Sequence, residues 1–339
     1  MTTHRLPLLA AFCASLLSAH AGTTVTSAPY GALASTIDSS SSGLAFPLMT
    51  DVFSGRISAN TTTALTFESG DLAAALTAGE PYYVEIVSGP LEGERFDLNT
   101  AATISSGSAT LNLAANSNST SNSLSAGVLA QARAVVRPHV TLAKLATMFS
   151  PALVGNASNT LADGIRIYGG PAGLTTYFLR PDNAWRTTPT GADQSNLVIP
   201  PDISVIPLIR SGAKQWTHVG VVRSNVFRKK LKPGLQGFAT GFPVDMSPAQ
   251  IGAFVDPQES ATIRWTGSDI FAKADALRVY DGAINNYHMY YLRADGSSWY
   301  LNGGSTDFSN VKFITPTSGT LVGRMKADAG YLIIRPYDL

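Results

Sequence analysis

Only one cysteine, Cys13, occurs in the 339 residues, and it lies within the apolar run Leu6–Leu17, ahead of the small-residue triplet Ala19-His20-Ala21. A short apolar run behind Arg5 and before such a triplet reads as a secretory signal peptide over residues 1–21, with cleavage expected between Ala21 and Gly22. The exported chain then has no cysteine, which excludes disulfides and thiolate metal ligands. Lipidation at Cys13 is disfavoured, because Phe12 precedes it and the cleavage triplet lies downstream. Long hydrophobic runs are missing too. The apolar core of the signal falls short of the roughly 20 residues that span a bilayer, and no later segment approaches that length, so no transmembrane helix is expected. An outer-membrane barrel is disfavoured by the Pro and Gly within the candidate strands. The expected location is the periplasm, the cell surface or the extracellular space.

Charge is scarce and balanced. Charged residues make up 14% of the chain, and removing Arg5 from 24 basic residues leaves 23 against 23 acidic ones. No global field draws such a protein to nucleic acid or membrane. Beyond residue 21 the histidines are His139, His218 and His288, none within five residues of another. There is no HExxH, so a zinc site would have to be assembled from distant residues. The G-x-S-x-G pentapeptide of α/β hydrolases is absent, and Gly169-Gly170 and Gly303-Gly304 stand alone rather than in phosphate-binding loops;. No cofactor is expected.

What the chain does contain is a stretch written twice. Ala274–Arg293 (ADALRVYDGAINNYHMYYLR) echoes Ala162–Arg180 (ADGIRIYGGPAGLTTYFLR), and Trp185, Asp193, Ser195-Asn196 and Arg210 are each answered 114 residues later by Trp299, Asp307, Ser309-Asn310 and Arg324. Self-similarity at a fixed period marks a duplicated module. Low charge with abundant Thr, Ser, Gly and Tyr, and short β-branched or aromatic runs between turn residues, predict antiparallel strands, among them Val52–Ser58, Ala64–Glu68, Tyr82–Val87 and Ala134–Arg137;. Two short helices are predicted: Thr141–Phe149, and a counterpart in SPAQIGAF where Ser247 and Gln250 form a capping box with Pro248 at the first helical position;. The low-complexity run Asn116–Ser125 predicts a loop.

The expected fold is all-β, with tandem homologous small antiparallel sandwich or barrel modules, each opened by a short helix. The expected divisions are signal peptide 1–21, flexible leader 22–42, N-terminal β region 43–140, module one 141–245 and module two 246–339. A weaker echo, YYVEIV then VVRPH against YYLRAD then IIRPY, allows the N-terminal region to be a diverged third copy.

Through SGPLEGERFDL, VVRPHVTLAKLATMF, YFLRPDNAWR and YYLRADGSSWY, nearly the whole exported chain resembles a family of exported, paralogous β-rich proteins of verrucomicrobial genomes to which no activity is assigned. The resemblance implies membership and no chemistry. Module two has Trp299-Tyr300 where module one and the family have a Trp-Arg pair, here Trp185-Arg186.

Four features could bear function. Between Asp202 and Asp245 there is no acid, while Arg210, Lys214, Arg223, Arg228, Lys229, Lys230 and Lys232 make a basic stripe suited either to guarding a strand edge or to meeting anionic polysaccharide;. Trp185 and Trp299, with the matched tyrosines, suit either a repeated core or sugar-stacking platforms. Glu85, Glu92, Glu94 and Asp97 gather around one hairpin; they are read as solvated, with Glu85 on the outward face, or as glycosidase carboxylates. The tetrapeptides Asp193–Asn196 and Asp307–Asn310 are read as Asx turns rather than calcium loops. The leading functional expectation is an exported, non-enzymatic structural or adhesive protein of the envelope or extracellular space. Anionic cell-surface polysaccharide is its candidate partner, and Arg228, Lys229, Lys230, Lys232, Trp185 and Trp299 are its candidate contacts. The alternatives are a carbohydrate-binding protein using the repeated aromatics and a polysaccharide-degrading enzyme.

Overall fold

The computed structural model describes residues 29–38, 43–99, 104–118, 124–169, 173–258, 265–317, 319–326, 329–333 and 335–337. The segment expected to be a signal peptide therefore lies outside the described residues, as does the start of the expected leader. Described structure begins earlier than Gly43, because β1 (Tyr30–Ile37) is an eight-residue strand. Six strands follow: β2 (Phe53–Asn60), β3 (Ala64–Phe67), β4 (Tyr82–Ile86), β5 (Arg95–Leu98), β6 (Thr110–Asn118) and β7 (Arg133–Pro138). They close into a barrel in the order β2-β3-β6-β5-β4-β7, with the one-turn helix α1 (Leu72–Ala75) capped by Asp71 between β3 and β4. Every pairing in it is antiparallel, and alternate residues such as Tyr82, Val84 and Ile86 fill its interior beside Ile57, Phe67 and Leu111. Strand β6 runs into the low-complexity segment as far as Asn118, and residues 119–123 lie outside the described residues.

Next come β8 (Val140–Thr141), the helix α2 (Leu142–Ala146) and β9 (Phe149–Ser150), then β10 (Gly164–Tyr168), β11 (Leu174–Leu179), β12 (Trp185–Arg186), β13 (Val198–Ile199), β14 (Val205–Leu208) and β15 (Lys214–Val221). The chain finishes with β16 (Phe227–Leu231), β17 (Gly234–Gly237), β18 (Ala276–Asp281), β19 (Asn286–Leu292), β20 (Trp299–Leu301), β21 (Leu321–Arg324) and β22 (Ala329–Ile333). The all-β, tandem-module architecture is thus present.

The two modules are the same fold. One sheet runs β12-β11-β10-β14 and the other runs β20-β19-β18-β21 with β17 added at its edge. Registers match as well: Gly164 pairs with Phe178 as Ala276 pairs with Tyr291, and Leu179 pairs with Trp185 as Leu292 pairs with Trp299. Even the supporting polar contacts recur. Buried Asp163 accepts the Val154 and Ser211 N–H groups, and buried Asp275 accepts those of Thr266 and Met325. Trp185 and Trp299 are both fully buried in their module cores.

Strand pairing moves the module boundaries. The last strand of each module is completed by a strand that precedes the module: β15 pairs with β1, and β22 pairs with β16. After β1 comes Gly43–Met49 (GLAFPLM), and after β16 comes Gly237–Met246 (GFATGFPVDM), two versions of one segment. Leu44 and Phe46 enter the core of module one, as Phe238 and Phe242 enter that of module two. In module two this segment leads straight to Ser247; in module one residues 50–139 intervene and form the barrel. The barrel is therefore an insertion within module one rather than a region ahead of it. It is not a third copy: YYVEI (β4) pairs with RAVVRP (β7), whereas YYL of β19 pairs with β18 and β20 while β22 pairs elsewhere.

Both expected helices are shorter than predicted, α2 ending at Ala146 with Phe149 already in β9. Thr141 caps α2 through the Lys144 N–H, but in module two the capping box between Ser247 and Gln250 closes only a turn at residues 248–252. The two copies meet through a reciprocal exchange. Ala45 donates its N–H to the Pro316 carbonyl at 2.8 Å and Ala239 donates to the Asp202 carbonyl at 3.0 Å, with the acceptors one repeat period apart. Such matched contacts are those of a two-fold interface, here within a single chain.

Duplicated close packing should give duplicated sensitivity. A Cβ on Gly155 would lie 2.1 Å from the Arg180 carbonyl oxygen, and one on Gly267 would lie 2.1 Å from that of Arg293. We expect Gly155→Ala and Gly267→Ala each to destabilise by at least about 3 kcal/mol, and Trp185→Ala and Trp299→Ala by about 3 to 5 kcal/mol. Chemical denaturation of the four variants measures this, and a pair in which only one member is sensitive would contradict equivalence of the two sites.

Candidate functional site

The basic stripe does not form one positive face. Arg223, Lys229 and Lys214 are buried, at 1%, 0% and 3% exposure, and only Arg210 and Lys232 are exposed. A cation on the covered face of a strand cannot reach water, so it needs a partner inside;. Lys229, on β16, bonds the Asp202 carboxylate at 3.2 Å and the Gly237 carbonyl at 3.2 Å, and Arg95 of the barrel reaches the same carboxylate at 3.3 Å. Burial alone would raise the Asp202 carboxyl, yet the two cations beside it hold it below its ordinary value; burial pulls the Lys229 ammonium down. Arg228 donates to the Glu92 carbonyl of the barrel at 2.6 Å. Arg228 and Lys229, expected as ligand contacts, are thus committed to joining the units.

The same joint corrects the reading of Glu85. On β4 the face opposite the barrel core was expected to meet water; it meets the modules instead, and Glu85 is fully buried. It accepts from Arg137 and Asn225 and pairs with Arg223, while Arg137 also bonds Asp51 at 2.7 Å. Burial draws the Arg223 guanidinium down to about 10, which leaves it charged at neutral pH. Arg223 and Arg95 lie over the Phe227 ring, at 4.5 and 4.4 Å from its centroid. Glu92 accepts the Val226 N–H at 3.2 Å, so the hairpin loop expected to be solvated docks on the segment between the modules.

Trp185 and Trp299, expected as possible stacking platforms, cannot offer a face to a sugar because both are fully buried. Their backbone N–H groups explain the repeated tetrapeptides. Asp193 Oδ1 accepts from Ser195 N–H at 2.8 Å and Asp307 Oδ1 from Ser309 N–H at 2.9 Å, and each serine hydroxyl accepts from the tryptophan N–H. These are Asx turns that pin β12 and β20. Among the described residues, no three His, Cys, Asp or Glu side chains cluster as a metal site.

Where the insertion meets both modules there is a cleft of about 340 Å³. The barrel contributes Tyr83, Arg95, Asp97 and His139; module one contributes Tyr168 and the Pro200–Ile203 loop; the first strands of module two contribute Lys229, Lys230, Lys232 and Gln236. Four cations thus face two carboxylates. One carboxylate is Asp202, neutralised by Lys229 and Arg95; the other is Asp97, which bonds His139 Nε2 at 2.9 Å. By this count the cleft is cationic on balance, and Lys232 is the exposed cation of the set. Glu85 and Glu94 are buried away from the cleft. The chain matches no protein-family model, no curated protein and no solved structure.

Two outcomes follow for stability. Glu85→Ala leaves buried arginines without their carboxylate and should cost about 3 to 5 kcal/mol, with earlier proteolytic cleavage between barrel and modules; a variant as resistant as the parent would contradict the fastening role. His218 is the acid-sensitive group. Burial lowers its pKa from 6.5 to about 4, against an opposing hydrogen bond to the Leu48 backbone. The unfolded chain takes up the proton first, so this stability is fully present above about 6.5 and is lost as pH falls towards 4, about 3 kcal/mol in all. His218→Phe should flatten the melting-temperature profile in that window; parallel profiles would remove the ring from the account.

Proposed function

We propose that the chain is an exported, non-enzymatic protein of the cell envelope or extracellular space that adheres to anionic surface polysaccharide, and that the junction cleft is its contact. The supporting observation is the lining of the cleft, four lysine and arginine side chains against two carboxylates, at a place where all three units meet. Tyr168, half-buried, lines the same cleft and supplies an aromatic ring for a sugar, while the Gln236 amide is held by the Lys232 carbonyl. Long-range attraction to a polyanion needs an uncompensated cationic surface, and precise enzymatic geometry is not required for adhesion. Export rests on the N-terminal signal read in the sequence. A sugar-stacking mode built on Trp185 and Trp299 is not retained, since both rings are core.

Co-sedimentation of the exported chain with a polyuronate gel, from about 0.01 M to about 1 M salt, tests this while the Debye length contracts from about 30 to about 3 Å. Binding should be present at the low end and lost at the high end, and absent on a neutral dextran gel. Lys230→Gln with Lys232→Gln should abolish it, whereas Lys312→Gln should leave it intact. Lys229 is excluded from the set, because its replacement would open the buried pair with Asp202. Salt-insensitive retention, or a double variant that binds like the parent, would overturn the proposal.

A further inference from the structure

The fold brings together two of the three histidines that are far apart in the chain. His288 lies on the β18–β19 hairpin with Asp281 at 3.0 Å. His139, at the end of the insertion, and His218, on β15, instead line a single cavity of about 140 Å³ between barrel and module one. That cavity adjoins the cationic cleft, with which it shares Tyr83, His139 and Pro201.

Each ring has one nitrogen engaged and one without a partner. His139 Nε2 bonds the Asp97 carboxylate at 2.9 Å, and His218 bonds the Leu48 backbone. His139 Nδ1 and His218 Nε2 are buried and have no hydrogen-bond partner in the chain, in residues only 5% and 6% exposed. The partners assign the tautomers: a carboxylate and a carbonyl can only accept, so the protons sit on His139 Nε2 and His218 Nδ1 and the lone pairs on the other two nitrogens. Leaving a buried polar atom unsatisfied costs about 1 to 3 kcal/mol, and here two such atoms belong to rings lining one small cavity. A histidine whose N–H is held by a carboxylate or carbonyl while its other nitrogen stays open has the arrangement that orients metal-ligating imidazoles.

The rest of the lining narrows the ion. Met148 supplies a thioether, while the Met49 sulfur is already engaged by Arg223 at 3.1 Å. No carboxylate lines the cavity, and its one cationic residue, Lys144, is paired with Glu80. Calcium needs oxygen ligands, and zinc favours thiolate, imidazole and carboxylate. A divalent ion would also bring two positive charges into an apolar site with no anionic ligand. Two neutral imidazoles and a thioether suit a soft monovalent ion. We propose that this cavity is a Cu(I) site, with His139 Nδ1, His218 Nε2 and the Met148 sulfur as ligands and Asp97 and the Leu48 carbonyl as the groups that orient them. The proposal is independent of the polysaccharide reading.

The test is an anaerobic titration of the exported chain with Cu(I) in competition with a chromophoric chelator, together with X-ray absorption at the copper edge. One equivalent should bind per chain, with nitrogen and sulfur in the first coordination shell and a raised melting temperature. His139→Phe, His218→Phe and Met148→Leu should each weaken binding by more than tenfold, and Asp97→Asn by about 10- to 100-fold, while His288→Ala leaves it unchanged. Phe fills the space of the imidazole; should either Phe variant fail to fold, the absorption shell of the parent and the Met148→Leu titration decide. Failure to compete with the chelator, a shell without sulfur, or a melting temperature indifferent to Cu(I) would overturn the proposal and leave the two nitrogens bridged by water.

Discussion

A carboxylate removed wholly from water stays ionised only where cations and donors replace its hydration, and Glu85 is such a group;. Its partners come from three places in the chain: Arg137 from the barrel, Arg223 from the end of module one, and Asn225 from the segment leading into module two. Asp202 performs the same office nearby, between Arg95 of the barrel and Lys229 of module two. An apolar interface could hold these units together as firmly. What an ionic one adds is orientation, since each carboxylate accepts only donors that arrive at fixed positions, and the cleft and the histidine cavity both lie along the joint thus set.

The insertion explains why the joint exists at one place only. Each module is closed by a strand drawn from before it, β1 for the first and β16 for the second, and each continues through the same Gly-to-Met segment. That segment ends between elements, at Met49 in module one and at Met246 in module two, and added chain is tolerated best at such connections;. Module one carries the barrel there; module two carries nothing. The cores must still match, because Trp185, Trp299, Asp163 and Asp275 hold equivalent registers, so the copies can differ in function only outside them.

Much of this was legible in the sequence for a physical reason: local chemistry repeats where local geometry repeats. The Asp193 and Asp307 turns and the Ser247 capping box follow from side-chain chemistry within about ten residues, whereas the two tryptophans suited either a core or a stacking platform until their burial was seen. The strands at Val52, Ala64, Tyr82 and Ala134 also follow from local chemistry, and their observed bounds differ by one or two residues. Three features were not legible. The outward face of β4 alternates like a solvated strand, and nothing near Glu85 announces that another unit covers it. The stripe from Arg210 to Lys232 crosses several elements, and on β16 alternation turns Lys229 inward between the half-buried Arg228 and Lys230; charge counting without strand register could not tell Lys229 from Lys230;. The echo between GLAFPLM and GFATGFPVDM was present but lies far outside the constant period of the repeat, because the barrel separates it from its module.

The meeting of His139 and His218 depends on that same displacement. His139 is the last residue of the insertion and His218 lies on the strand that β1 completes, so neither position has a counterpart of its own kind: the equivalent of β15 in module two, β22, reads AGYLI. Lys230 and Lys232 likewise lie in the strand pair that opens module two, facing a barrel that module two itself lacks. A duplicated protein constrained to keep two identical cores acquires new surface chemistry at the point where its symmetry is broken. Here the break brings a buried ion network, a cationic cleft and two buried imidazole nitrogens without partners within one junction, and each depends on side chains that the repeat alone would never have placed together.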